Sequence, residues 1–131
     1  WAGFATQEQA KQMRQHYLNP QSFHAPGGVR TLSKEEKMYD LRATNNPSNW
    51  LGPIWIVASY SVFKGLLNYG FITEAEDLAR KTLRLLADDI RETGTLHEYY
   101  HPETCKPVMN SGFINWDILA LNMYKELAED S

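Results

Sequence analysis

The sequence is short of almost everything that marks a specialised class. It holds a single cysteine, Cys105, so no disulfide can form within the chain, and no Cys/His grouping has the spacing of a zinc site. No uninterrupted apolar run approaches the ~18–20 residues of a membrane span. The most apolar stretch, Ile54 to Leu67, is shorter than that and carries Lys64. The thirteen Lys and Arg are scattered against sixteen acidic residues, for a net charge of −3. That balance excludes nucleic acid and an anionic membrane surface as natural partners. No basic-then-apolar leader opens the chain, so no signal peptide is expected. The first residue is Trp1 rather than Met, so the expectation is a processed or excerpted polypeptide, with the compartment open between periplasm and cytoplasm.

What is present is helical patterning. Thr6 to Leu18 reads as a polar helix, with Thr6 as N-cap, Gln9 at the capping-box position and Asn19-Pro20 as its end. Turn residues follow, centred on Pro26-Gly27-Gly28, and Ser33 with Glu36 can cap one short helical turn. Asn45-Asn46-Pro47-Ser48-Asn49 favours a loop. A second helix is predicted from near Pro53 to a stop at Gly70. A third starts at Thr73 with Glu76 completing a capping box, carries the stripe Ala75, Leu78, Ala79, Leu83, Leu86 and Ile90, and ends at Gly94. Residues 94–113 show no helical period and read as a long loop or short strands. A last helix, roughly Asn115 to Glu129, buries Trp116, Leu119, Ala120, Met123 and Leu127.

The second helix is apolar around nearly its whole circumference, whereas the third has one wet side. Two readings are open. Either the second helix needs neighbours that these residues do not supply, or it is the central helix of a compact bundle.

Two loops concentrate unusual chemistry. NNPSNWLGPIW sets Trp50 and Trp55 around a Gly-Pro turn; LHEYYHPETCKP brings together His97, Glu98, Tyr99, Tyr100 and His101. Phe113 and Trp116 follow in FINW. Sugar rings stack their apolar faces on aromatics while their hydroxyls need fixed polar partners, so such loops suit carbohydrate. Glu98, flanked by aromatics, is the residue to examine as a base. Composition alone favours the plainer alternative, in which the aromatics pack a loop onto helices and Glu98 faces water. His97 and His101, separated by one Glu and two Tyr, make no recognisable metal-ligand set, and Glu103-Thr104 reads as part of a turn after Pro102. Cys105 has no base beside it that would mark a nucleophile. Gly27-Gly28 lacks the strand before it and the Lys-Ser/Thr after it that a phosphate loop requires. No cofactor is expected.

The strings NWLGPIW, LLNYG, EAEDLARKTLRLL, LHEYYHPETCKP and GFINWDILALNMY, in this order, resemble the C-terminal half of the catalytic domain in glycoside hydrolase family 63. The resemblance runs from about Phe23 onward and includes GVRTLSKEEKMYD. It extends more distantly to trehalases. It implies an all-α fold: a single domain over residues 1–131 forming part of an (α/α)6 barrel, with about four helices and long functional loops. It further implies an inverting α-glycosidase acting on α-glucosides or related oligosaccharides. In such enzymes an acid protonates the leaving oxygen while a base activates water, the two carboxyls standing ~6.5–9.5 Å apart. By resemblance the base is Glu98, Trp50, Trp55 and Trp116 lie near the sugar, and Tyr99 and His97 orient the loop or touch substrate. Two departures stand out: Cys105 where the family often has Gly after P-E-T, and Asp117 where it often has a small hydroxyl residue. The family's general acid lies upstream, and none of Asp40, Asp77, Asp88, Asp89, Asp117 or Asp130 has its context. The expected partners are therefore an oligosaccharide and the remainder of the barrel or an oligomer mate, and the chain alone is expected to be inactive. The alternative is a carbohydrate-binding or oligomeric helical scaffold derived from such a barrel, without catalysis.

Overall fold

The computed structural model describes residues 1–42 and 47–129. Asn45 and Asn46 of the first aromatic loop, and Asp130, lie outside the described residues. Four α-helices form the framework: α1 (Gln7–Leu18), α2 (Ile56–Asn68), α3 (Ile72–Thr93) and α4 (Leu119–Glu129). The expectation of an all-α chain needs correcting in the loops, which contain two antiparallel two-stranded sheets. These pair β1 (His24–Ala25) with β2 (Gly28–Val29), and β3 (His97–Tyr100) with β4 (Pro107–Ser111).

The helix ends follow from local chemistry. Thr6 caps α1 through a complete capping box: its hydroxyl accepts from the Gln9 N–H, and the Gln9 side chain accepts from the Thr6 N–H. Helix α2 stops in a Schellman turn, with Gly70 at φ 78°. The Gly70 N–H donates to Leu67 O at 3.0 Å and the Phe71 N–H to Leu66 O at 2.9 Å. That turn starts α3 earlier than its sequence implies. The helix begins at Ile72 with Phe71 as an N-cap lacking a side-chain bond, so Thr73 lies inside the first turn and its capping box does not form.

The start of α2 also differs from expectation. Pro53 and Ile54 are not helical, because Ile54 forms a bridge with Tyr100, each main-chain N–H donating to the other's carbonyl. The chain stays extended through Trp55 and turns helical at Ile56.

Helices α2, α3 and α4 pack on one another around two groups of buried side chains. One joins Tyr17, Val29, Phe63, Leu66, Ala75, Leu78, Ala79 and Met123; the other joins Ile54, Ile56, Leu85, Leu86, Tyr100 and Ala120. The buried face of α3 is rotated from its predicted stripe. Thr82, Leu85 and Asp89 are inside, whereas Ile90 is exposed. The face of α4 is as predicted around Ala120 and Met123, but its first turn, Trp116–Ile118, is a 3-10 turn.

Helix α2 is not enclosed on every side. Ala58, Val62, Gly65 and Tyr69 line one wall of a largely apolar cavity of about 840 Å³, with the Trp1–Ala5 segment and α1 opposite. Ile118 of the 3-10 turn and Leu121 and Tyr124 of α4 are exposed, with Ile114 just before them. Among the described residues, no helix is long and apolar enough to cross a membrane.

Candidate functional site

The Ile54–Tyr100 bridge joins the two aromatic loops, which are far apart in sequence. Trp55 is the centre of the resulting cluster. Its ring is 1% exposed and its Nε1–H donates to Asn49 O at 2.8 Å. Trp50 stacks on it with centroids 3.8 Å apart, Tyr99 stacks at 5.1 Å, and Trp116 leans against it at 5.9 Å. Phe113 extends the cluster from Trp116 at 5.2 Å. The environments differ: Trp55 and Tyr99 are sealed, Trp116 is half-buried, and Trp50 is 43% exposed. Trp50 is therefore the ring that can offer a face to a ligand.

The Gly-Pro turn between the tryptophans has a steric requirement. Gly52 adopts φ 135°, and a Cβ there would stand 2.4 Å from the Tyr39 ring. No side chain fits without moving that ring.

Glu98 sits on β3, half-buried, and accepts a hydrogen bond from the Asn110 Nδ2 of β4. Its strand neighbours are anchored from behind. Asp89 on α3, whose side chain is fully buried, accepts from Tyr100 Oη at 2.8 Å, from Thr93 Oγ1 at 2.9 Å and from His97 Nδ1 at 2.8 Å. Facing a carboxylate, Nδ1 carries the ring proton. Tyr100 Oη in turn accepts the His97 N–H at 3.1 Å. Burial pushes the Tyr100 hydroxyl up, which keeps it a donor. The β3–β4 register shifts between Tyr99 and Tyr100, breaking strict alternation, and His97 and Tyr100 both reach Asp89. Sequence reasoning passed over Asp89. The only available signal was a polar residue falling on the buried face of an amphipathic helix.

Asp117 is the middle residue of the 3-10 turn, next to Trp116. It is 1% exposed, and among the described residues neither carboxyl oxygen has a hydrogen-bond partner. Burial, with smaller contributions from the negative charges of Asp89 and Glu98, pushes its pKa up to about 8. At neutral pH this side chain is mainly a neutral acid.

The P-E-T-C turn is tied down from the opposite side. The buried Arg30 guanidinium donates to Glu103 Oε1 at 2.6 Å, to Tyr39 Oη at 3.2 Å, and to the carbonyls of Pro20, Ser22 and His24. The turn Glu103 was expected to occupy is thus also one end of an ion pair. Cys105 takes φ 60°, the left-handed conformation that glycine adopts freely. Burial raises its thiol pKa, which suits an inert side chain. His101 turns its Nδ1 toward the N–H groups of Glu103 and Thr104, away from any ligand role with His97. Among the described residues no three His, Cys, Asp or Glu side chains are grouped to hold a metal ion.

Comparison with known proteins places the chain in a glycoside hydrolase family. Residues 1–116 match the model of the mannosylglycerate hydrolase MGH1-like glycoside hydrolase domain, and the chain belongs to that family, within glycoside hydrolase family 63. It is 30% identical over 112 residues to a probable mannosyl-oligosaccharide glucosidase of Schizosaccharomyces pombe, covering 78% of this chain and 13% of that protein. Its fold is similar to two crystal structures of the family 63 mannosylglycerate hydrolase of Thermus thermophilus. With the glucose complex the TM-score is 0.71 at 24% identity, over 95% of this chain and 28% of the other. With the Tris complex the TM-score is 0.72 at 25% identity, over 95% and 27%. The chain thus spans a small part of the length of these relatives.

Proposed function

We propose that this chain supplies the general base of an inverting α-glycoside hydrolase, with Glu98 as that base. The observation that carries the reading is the joining of the two aromatic loops by the Ile54–Tyr100 bridge. It sets a half-buried carboxylate on a rigid strand whose next residue, Tyr99, stacks beneath Trp55 and Trp50. In this reading Trp50 stacks on a sugar ring, Trp55 and Tyr99 support it, and Trp116 closes the cluster's other side. Glu98 takes a proton from the attacking water while an acid protonates the departing oxygen. Proton transfer from water to this carboxylate needs Glu98 ionised.

The rest of the machinery belongs to the helical barrel of which α2 to α4 form a sector. The outward row Ile118, Leu121 and Tyr124 is the face that further barrel helices cover. The relatives' names direct the choice of substrates to mannosylglycerate and glucose-bearing mannosyl oligosaccharides. The experiment is proton NMR of the first products formed by the full-length enzyme carrying this sequence. Initial release of the β-anomer from an α-glycoside supports inversion; initial release of the α-anomer contradicts it.

A second reading, sugar binding without cleavage, draws on one observation. Among the described residues Asp117, the acid in electrostatic contact with Glu98, is sealed from solvent, so these residues by themselves bring a base and an aromatic face but no second accessible carboxyl beside it. If the full-length protein binds but does not hydrolyse these sugars, this second reading stands.

A further inference from the structure

The search for groups that the proposed chemistry leaves unused leads to Asp89. It is a fully buried carboxylate on α3 that, among the described residues, makes no salt bridge with Arg or Lys, yet it gathers three side-chain donors. Two of those donors, His97 and Tyr100, are the end residues of β3. They are also bonded to each other, through the His97 N–H and Tyr100 Oη. The result is a closed ring: Asp89 Oδ2 to His97 Nδ1, His97 N to Tyr100 Oη, and Tyr100 Oη back to Asp89 Oδ2. Thr93, one helical turn on from Asp89, shares its one hydroxyl proton between Asp89 Oδ1 at 2.9 Å and the Asp89 carbonyl at 3.0 Å. Tyr100 is further held by its main-chain bridge to Ile54.

A strand clamped at both ends has little freedom between them. Glu98 lies inside the clamp, one residue from His97, and its carboxylate is bonded to the amide of Asn110 on the partner strand. We infer that Asp89 is a positioning residue that holds Glu98 in its working orientation, acting through His97 and Tyr100. The inference rests on the reading of Glu98 as the base, and it gives His97 a role behind the strand. A carboxylate is required here because one oxygen must accept two bonds and the other a third. An amide at this place turns an N–H₂ toward one set of donors. Base catalysis depends on where the carboxylate stands, since misplacement by about 1 Å costs on the order of a hundredfold in rate.

The test compares Asp89→Asn, Tyr100→Phe and Glu98→Gln by two readouts on the full-length enzyme. In the full-length enzyme, with an aryl α-glucoside and mannosylglycerate as probes, Asp89→Asn is expected to lower kcat by about a hundredfold while KM moves less than about threefold. Tyr100→Phe, which keeps the His97 bond to Asp89, falls between it and wild type. In the same enzyme, NMR is expected to show a slowly exchanging His97 Nδ1–H and a single set of Asn110 side-chain amide signals. In Asp89→Asn the first is lost and the second broadens or doubles. Unchanged Asn110 signals with kcat within about threefold of wild type overturn the inference. If Glu98→Gln keeps wild-type activity, the base assignment fails instead. The Asn110 signals then still decide whether Asp89 orients Glu98.

Discussion

Ile54 and Tyr100 exchange two main-chain hydrogen bonds, of 2.9 and 3.0 Å, and through them two distant loops become one surface. The pairing has consequences on both sides. It delays α2 until Ile56, which leaves Trp55 extended and able to stack on Tyr99. It also fixes the C-terminal end of β3, whose N-terminal half carries Glu98.

The two stacked tryptophans separate stability from binding. Trp55→Ala removes a sealed ring and its bond to Asn49 O, and is expected to destabilise the fold by about 3–5 kcal/mol. Trp50→Ala removes a ring that is 43% exposed, and is expected to cost about 1 kcal/mol or less while weakening sugar binding at least tenfold. Urea unfolding and calorimetric titration of the two variants check the contrast.

Asp117 makes stability depend on pH in a defined direction. Its pKa is about 8 in the fold and near 4 when unfolded, so between those values the native state holds a proton that the unfolded chain releases. The stabilising contribution is complete below pH ~4 and is lost as pH rises to about 8, with a slope approaching ~1.4 kcal/mol per pH unit. Asp117→Asn is expected to flatten that slope and to raise the melting temperature at pH 8. Thermal unfolding across pH 5–8 measures both.

Arg30 binds the 20–39 segment to the P-E-T-C turn from a buried position. Arg30→Met keeps much of the volume but takes the guanidinium donor from the carbonyls of Pro20, Ser22 and His24, and leaves Glu103 facing Lys34, 3.6 Å away. It is expected to cost on the order of 3 kcal/mol. The Glu103→Gln change, at a half-exposed end of the same pair, is expected to cost less than half of that. Denaturant midpoints at neutral pH check the ratio.

Helix existence was legible in the sequence because period and caps are local. The α1 capping box and the Gly70 stop both depend only on residues within one or two turns. The errors came where distant residues compete. Pairing with Tyr100 overrides the helix-starting tendency of Pro53, and the Schellman turn moves the start of α3 ahead of the Thr73–Glu76 signal. For the site, the aromatic residues and Glu98 were visible as an unusual loop composition, and their family resemblance was readable from order and spacing. Asp89 was not, because a buried carboxylate is indistinguishable from a solvated one until its donors are placed. Asp117 was noticed only as a departure. Its burial without partners depends on how Trp116 and α4 pack.

The measurement closest to the central claim is the hydrolysis rate of the full-length enzyme with Glu98→Gln, at saturating substrate and with folding verified by circular dichroism. If Glu98 is the base, kcat falls by roughly three or more orders of magnitude while sugar binding persists. Retention of kcat within about tenfold of wild type contradicts the assignment, and places the base on another residue.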